Sequence, residues 1–325
     1  MADGQADSAP AIQTDVRGVS RASTSAVLPP LLTVWIVWGS TYLAIAVLVQ
    51  TLPPLLGNAL RFGIATAILG LALIALKGPR VLAITGVQLR NSAIMGVTLL
   101  GVGIGTVSMG ERYVPSGIAA LLVSVTPLWI ILFRLRAGDR PSRLTSAGVV
   151  VGMLGLGAML LPGGTVSIAG GDDDVVLWSI AILAGSFSWA LFSWRSSRYD
   201  LPANLLTTTF YEMLTASLFL AVVGVVIGER IDPAAVSTGS WMAVAYLVLA
   251  SLVAYSAYVW LIGHAPMSLV ATYAYVNPLV AVFLGWLILG EPLTRDVLIG
   301  LTIVVGGVIL VVTGERRPRL SATST

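Results

Sequence analysis

The chain contains ten apolar stretches of about twenty residues, the length that an α-helix needs to cross the roughly 30 Å hydrocarbon core of a membrane. Charged residues make up 10% of the 325 residues, against about 25% in soluble domains. Because a backbone in lipid must satisfy its hydrogen bonds internally, the sequence predicts an all-α transmembrane protein. The stretches lie at about 29–50, 53–76, 91–110, 114–133, 143–161, 175–194, 202–227, 240–261, 266–288 and 296–313.

The polar segments outside these stretches limit the class of protein. Residues 1–28 are rich in Ala, Ser, Thr and Asp, which predicts a disordered tail, and residues 314–325 form a short basic tail. The chain has no cysteine and one histidine, His264, so disulfides and thiolate chemistry are excluded, and we expect neither a metal site nor a cofactor. The basic residues lie in short loops, so the net charge of +3 does not indicate a nucleic-acid partner.

The positive charges predict the orientation of the chain. With the N-terminus in the cytoplasm, 14 of the 18 Lys and Arg residues fall on the cytoplasmic side and 3 fall outside, and Arg61 remains within a span. The positive-inside rule therefore places both termini in the cytoplasm and residues 162–174 in an external loop. A count of nine or eleven spans would scramble this distribution, so the charges also support ten.

A shift of 151 residues aligns the two halves of the chain without a gap. Trp38 falls on Trp189, and three prolines fall on prolines. Each copy contains five spans, and because five is odd the second copy enters the membrane from the opposite side. The sequence thus predicts two inverted five-helix repeats, 29–161 and 175–313, an arrangement found in secondary transporters with a binding site near the membrane midplane.

Several short motifs follow one another along residues 30–313. They are Trp38-Gly39-Ser40-Thr41-Tyr42, Leu60-Arg61-Phe62, Pro115-Ser116-Gly117-Ile118-Ala119-Ala120-Leu121-Leu122 with Thr126-Pro127, Asn277-Pro278-Leu279 and Leu289-Gly290-Glu291-Pro292-Leu293-Thr294. No single motif is specific, but in this order and spacing they resemble the EamA family of the drug/metabolite transporter superfamily.

The resemblance implies a carrier for small metabolites, often an exporter, with two five-helix halves around a central cavity in a bacterial-type inner membrane. Members are generally similar to proton-coupled or facilitative carriers and use no ATP. One position departs from the family pattern, because Arg140 stands in the first repeat where Glu291 stands in the second, and members often carry Glu in both. This departure weakens any functional role for the position.

Arg61 and Glu212 are ionisable residues at the same position of the two repeats, near the middle of their spans. A buried charge is costly unless it is paired or hydrated, and charges inside membrane spans commonly mark function. Both side chains could face an aqueous cavity, bind charged groups of a solute or relay a proton. A structural ion pair, or a bond from Arg61 to backbone carbonyls, is the alternative that the sequence leaves open.

Aromatic and polar side chains share helix faces in the spans expected to surround a cavity. Such faces suit an amphiphilic or cationic organic solute, although packing between helices would also account for them. The residues predicted to contact substrate are Trp38, Tyr42, Trp189, Tyr258, Tyr275 and Asn277.

Pro127 and Pro278 lie at matching points of the fourth and ninth spans. Proline cannot donate a backbone hydrogen bond, which frees the carbonyl four residues earlier, at Val123 and Ala274. A kink with a free carbonyl in both halves predicts a hinge or a binding site, and an inert kink is the alternative.

Together these features predict a secondary transporter that moves amino acids or related amphiphilic or cationic solutes by alternating access, with export favoured by the family resemblance alone. Spans 1, 3, 4, 6, 8 and 9 would line the cavity. A membrane-embedded lipid or isoprenoid enzyme is one alternative, but it would need clustered acids, histidines or a nucleophile–base pair. A non-transporting membrane scaffold is another. We expect a small solute and the bilayer as partners, with protons as a candidate coupling ion; a monomer suffices, and a dimer stays open.

Overall fold

A computed structural model of the chain describes residues 24–114, 116–139, 141–160, 173–289 and 295–316. These residues form helices and connecting turns without a β-strand, which confirms the predicted all-α class. The helices are α1 (Thr24–Leu48), α2 (Pro54–Lys77), α3 (Gly86–Gly110), α4 (Ser116–Val123), α5 (Thr126–Arg136), α6 (Arg143–Leu160), α7 (Asp173–Arg195), α8 (Leu205–Val226), α9 (Thr238–His264), α10 (Met267–Val270), α11 (Tyr273–Leu289) and α12 (Arg295–Arg316).

Six helices in the described part of the chain are long and apolar enough to cross a membrane, namely α1, α2, α3, α7, α8 and α9, and shorter apolar stretches lie in α6 and α12. The long helices form two sets of three in the same order. The middle members begin at Pro54 and Leu205, which are 151 residues apart, the offset found in the sequence. Arg61 and Glu212 therefore stand at the same place in matching helices, each seven residues after the first residue of its helix.

The helix ends differ by a few residues from the predicted spans. Helix α1 already begins at Thr24, within the predicted tail, and α12 continues to Arg316. Most of the predicted external loop lies outside the described residues, as do the remaining tail residues and the motif positions Arg140 and Glu291.

The fourth predicted span is two helices, α4 and α5, separated at Ser124 and Val125. Pro127 stands in the first turn of α5, where its missing N–H costs little. The hydroxyl of Thr126 donates to the carbonyl of Val123 at 2.6 Å, so a side chain bonds the backbone group that Pro127 leaves free. The apolar pattern, which continues through this segment, does not show the break.

The ninth predicted span is also two helices, α10 and α11, and the break lies at Ala271 and Thr272. Pro278 lies inside α11 and does not end it. The carbonyl of Ala274, four residues before this proline, accepts a hydrogen bond from the hydroxyl of Ser124 at 2.9 Å. The two broken regions therefore contact each other through a bond that the proline makes available.

The main contacts between helices follow the same pattern in the two halves. Helix α2 packs along α8, and α6 packs along α12. Helix α1 contacts α9 and α11, while its counterpart α7 contacts α3 and the α4–α5 pair. These main contacts of one half have equivalents in the other, as expected for a duplicated unit.

Glycine permits the closest helix contacts. A Cβ atom at Gly96 would lie 2.2 Å from the carbonyl oxygen of Glu212, so the α3 backbone rests directly on α8. A Cβ at Gly307 of α12 would lie 2.6 Å from the backbone nitrogen of Gly152 of α6. Small residues at such crossings are typical of helices that pack within membranes.

Both α3 and α9 contain a π-helical segment, over Gly96–Ile104 and Ser251–Tyr255 respectively. The two segments end 151 residues apart, at Ile104 and Tyr255, so the irregularity belongs to the repeated unit. Such segments are uncommon and occur frequently at functional sites.

Candidate functional site

A cavity lies between the two halves and contains about 790 Å³ of empty space, part of which is open to the outside. Helices of all the spans predicted to line it contribute, and α2 does so as well, through Arg61 and Phe62. The cavity extends towards the end of the molecule where α1 and α3 finish, because Ile45 and Val107 also line it.

Four aromatic side chains lie together at this cavity and define the aromatic cluster: Trp38, Trp189, Tyr258 and Tyr273. The ring centroid of Trp38 lies 5.5 Å from that of Trp189, 4.9 Å from that of Tyr258 and 5.0 Å from that of Tyr273. The repeat-equivalent tryptophans meet edge to face, a favourable geometry for aromatic rings. Trp38, Trp189 and Tyr273 line the cavity.

Tyr258 packs against Trp38 and Trp189 but does not itself line the cavity. Its hydroxyl accepts a hydrogen bond from Nε1 of Trp189 at 2.7 Å and lies 2.5 Å from the hydroxyl of Ser193. The residue is 1% exposed and lines a smaller space of about 160 Å³ below the main cavity. Tyr258 thus reaches the predicted site through Trp189, and the residues that line both spaces are Thr126, Trp189 and Tyr273.

Arg61 lines the cavity with a side chain that is almost fully buried, at 4% exposure. Its guanidinium carbon lies 4.4 Å from the ring centroid of Phe62, which also lines the cavity. Its Nε atom has no hydrogen-bond partner among the described residues. The guanidinium is thus a cation with unused donor capacity in an otherwise uncharged lining.

Glu212 does not line the cavity but lies behind Tyr255, which does. The Tyr255 hydroxyl donates to Oε2 of Glu212 at 2.8 Å, whereas Oε1 has no partner within the described ranges. Glu212 makes no ion pair with Arg61, because the one pair closer than 4.0 Å in the described chain joins Arg134 to Asp139. The acid therefore reaches the cavity only through Tyr255.

Glu111, which the sequence did not single out, is a further acid beside this cavity. It follows the last residue of α3, and although the residue is partly exposed, both carboxylate oxygens are buried and have no hydrogen-bond partner in the described structure. Its charge interacts with that of Arg61. Burial raises the pKa of Glu111 to about 8, and the Arg61 guanidinium acts in the opposite direction.

Tyr42 and Asn277 lie together on the cavity wall. With its amide in the orientation that satisfies its neighbours, Asn277 donates to the carbonyls of Trp35 at 3.2 Å and Tyr273 at 3.0 Å. Its side chain also lies within reach of the Tyr42 hydroxyl. The side chain of Tyr275, the remaining predicted contact, lies outside the described residues.

A long bundle of apolar helices, with a cavity between two similar halves, defines a polytopic membrane protein of the transporter class. The model of the EamA-like transporter family matches residues 28–161 and again residues 176–313. The chain belongs to this family, which confirms the resemblance drawn from its motifs.

Relatives of known name support the same class. The chain is 38% identical to the "Uncharacterized inner membrane transporter YedA" of Escherichia coli (strain K12), over 88% of this chain and 90% of that protein. It is 23% identical to the "Uncharacterized transporter YoaV" of Bacillus subtilis (strain 168), over 86% of this chain and 94% of that one. A protein of known crystal structure shares the fold with a TM-score of 0.73 at 20% identity, covering 91% of this chain and all of the other.

Proposed function

We propose that the chain is a secondary transporter of small organic metabolites, and that it works by alternating access at the cavity between its repeats. The observation that carries the proposal is the position of Trp38 and Trp189. These residues are equivalent in the two repeats, contact each other and both line the cavity. A site built from both halves changes its access when the halves move relative to each other.

The proposed topology has ten spans in two inverted sets of five, with both termini in the cytoplasm. Counting α4 with α5, and α10 with α11, as single interrupted spans gives this number. In this orientation the cavity opens to the outside, and the aromatic cluster, which includes Tyr258, closes the pathway on the cytoplasmic side. The inner membrane is the proposed location, on the name of the relative YedA.

Amino acids or related amphiphilic metabolites are the proposed substrates. Aromatic faces suit an organic body, and Arg61 is the one charged residue among the cavity-lining residues that the structure describes. A guanidinium binds carboxylate in a bidentate geometry, which favours a solute with an anionic group over a purely cationic one. Export is proposed from the family resemblance, and Glu212 is the proposed coupling acid.

Transport by purified protein in proteoliposomes tests the proposal. We expect movement of amino acids across the bilayer that exceeds movement in protein-free liposomes, measured in both directions and with and without a pH gradient. Organic cations without an anionic group form the comparison set. A folded preparation that moves none of the tested solutes would overturn the proposed function.

A further inference from the structure

Arg61 and Glu111 carry opposite charges at the cavity, but no direct bond joins them. Both carboxylate oxygens of Glu111 and Nε of Arg61 lack partners in the part of the chain that is described. The two groups still interact electrostatically. Buried polar atoms are seldom left without a hydrogen bond, so unbonded atoms on both Arg61 and Glu111 call for an explanation.

We propose that Glu111 is the resident counter-ion of Arg61, and that the anionic group of a bound solute takes its place beside the guanidinium. Arg61 lines the cavity, whereas Glu111 does not, so a solute can reach the cation without first displacing the acid. The inference rests on the proposed function, because it treats the cavity as the solute pathway. It assigns an anion site, carboxylate-like in chemistry, to Arg61.

Proton uptake by Glu111 follows from this exchange. In the empty cavity at a pH above about 8, Glu111 is ionised and the guanidinium stabilises its carboxylate. A bound anion neutralises the guanidinium and brings a second negative charge near the acid, and both effects favour the protonated carboxyl. Glu111 then takes one proton from solution, and anion binding is linked to protonation.

The groups whose charge faces Glu111 are few. Arg61 on α2 and the hydroxyl of Tyr42 on α1 interact electrostatically with it in the described structure. Glu212 lies elsewhere, behind Tyr255, and contacts neither Arg61 nor Glu111. Proton uptake at Glu111 is therefore separate from any role of Glu212.

Three probes that share one aromatic body test the anionic and cationic groups of a solute separately. N-acetyl-L-phenylalanine carries only the anionic group, L-phenylalaninamide carries only the cationic group, and L-phenylalanine carries both. Binding to the purified full-length chain can be followed by the change in tryptophan fluorescence, since two of its nine tryptophans, Trp38 and Trp189, line the cavity. Infrared difference spectra report whether a carboxyl becomes protonated when the probe binds.

We expect N-acetyl-L-phenylalanine to bind with uptake of about one proton above pH 8, and its affinity to fall about tenfold per pH unit there. In Glu111→Gln the probe should bind with no proton uptake, no new carboxyl signal and a flat pH profile, and Glu111→Ala should behave likewise. Asp173→Asn removes an exposed acid at the start of α7 and should match the native chain. L-phenylalaninamide should bind without proton uptake.

Proton uptake that persists in both Glu111 variants would overturn the role of Glu111, and so would failure of every anionic probe to bind. Transport measurements distinguish a failure of the counter-ion role from a failure of the proposed function. If the probes cross proteoliposomes but the Glu111 variants still take up the proton, only the counter-ion role fails. If binding and proton uptake occur but no solute crosses, the proposed function fails while the anion site stands.

Discussion

Trp38 and Trp189, which are separated by 151 residues of sequence, meet edge to face with their ring centroids 5.5 Å apart. Residues at equivalent positions of two repeats touch only near the axis that relates the repeats, so this contact lies close to that axis. The surroundings of the pair are not symmetric. The Tyr258 hydroxyl accepts a hydrogen bond from Nε1 of Trp189 and bonds the hydroxyl of Ser193, whereas Val107 stands at the position equivalent to Tyr258.

The tryptophan contact predicts energetic coupling between the repeats. Trp189→Ala should lower the free energy of unfolding by about 3–5 kcal/mol, and Trp38→Ala by less, because Trp38 is less deeply buried than Trp189. The double variant should show a coupling of about 0.5–1.5 kcal/mol. Denaturant unfolding in detergent measures these values, with the more exposed Trp241 as the control position. Strictly additive losses would contradict a direct contact.

Tyr258→Phe should make the closed side of the cavity easier to open. It removes the hydroxyl that binds Trp189 and Ser193, and leaving buried polar groups unpaired costs about 1–3 kcal/mol. The chain has no cysteine, so Ser186→Cys in the cavity wall provides a single thiol. A membrane-impermeant thiol reagent applied from the cytoplasmic side of the proposed topology should label this thiol faster in Tyr258→Phe.

The exposed Tyr113, changed to Phe, is the matched control for this experiment and should leave the labelling rate unchanged. Equal labelling in the native background and in Tyr258→Phe would show that the tyrosine hydroxyl does not hold this side closed.

The apolar pattern predicts which parts of the chain are helical, because burial in lipid depends on composition over about twenty residues. The repeat predicts that Trp38 and Trp189 are equivalent, and the structure adds that they touch. The helix breaks at Ser124 and Thr272 were not predicted, because the apolar composition continues through both; at each, the hydroxyl donates to a carbonyl of the preceding turn.

Glu111 was missed for a different reason. It stands directly after a span, next to Arg112, where a charged residue is ordinarily solvated, and sequence patterns give no signal that its carboxylate turns inwards. For Arg61 and Glu212, by contrast, the sequence singled out the residues but did not give their neighbours. Their matching positions in α2 and α8 were predictable, but their separate neighbours, Glu111 and Tyr255, depend on how these helices pack.

Glu212→Gln tests the proposed coupling acid. The glutamine oxygen can still accept the hydrogen bond from Tyr255, so the fold should be retained. We expect the variant to lose the part of solute transport that a pH gradient drives, while movement without a gradient continues, because an amide cannot carry the proton. Uptake into proteoliposomes at matched protein density measures both rates. Asp174→Asn, an exposed acid on α7, is the control, and gradient-driven transport that survives in Glu212→Gln would remove this residue from the coupling mechanism.

The contact between α3 and α8 predicts a strong effect of the smallest possible substitution. In Gly96→Ala the added carbon would lie 2.2 Å from the Glu212 carbonyl oxygen and 2.3 Å from Oγ1 of Thr215. The carbonyl is backbone and cannot rotate away, so the helices must separate and the π-helical segment of α3 must shift.

We expect Gly96→Ala to lower the free energy of unfolding by at least about 1–3 kcal/mol, in the range of overpacked cores. Gly263→Ala is the matched control, because nothing lies within 4 Å of a Cβ at Gly263 in helix α9. There the higher helix propensity of alanine should stabilise the protein by about 0.5–1 kcal/mol. Equal effects of the two substitutions in thermal unfolding would contradict the close approach of α3 to Glu212, since glycine propensity alone would then account for both.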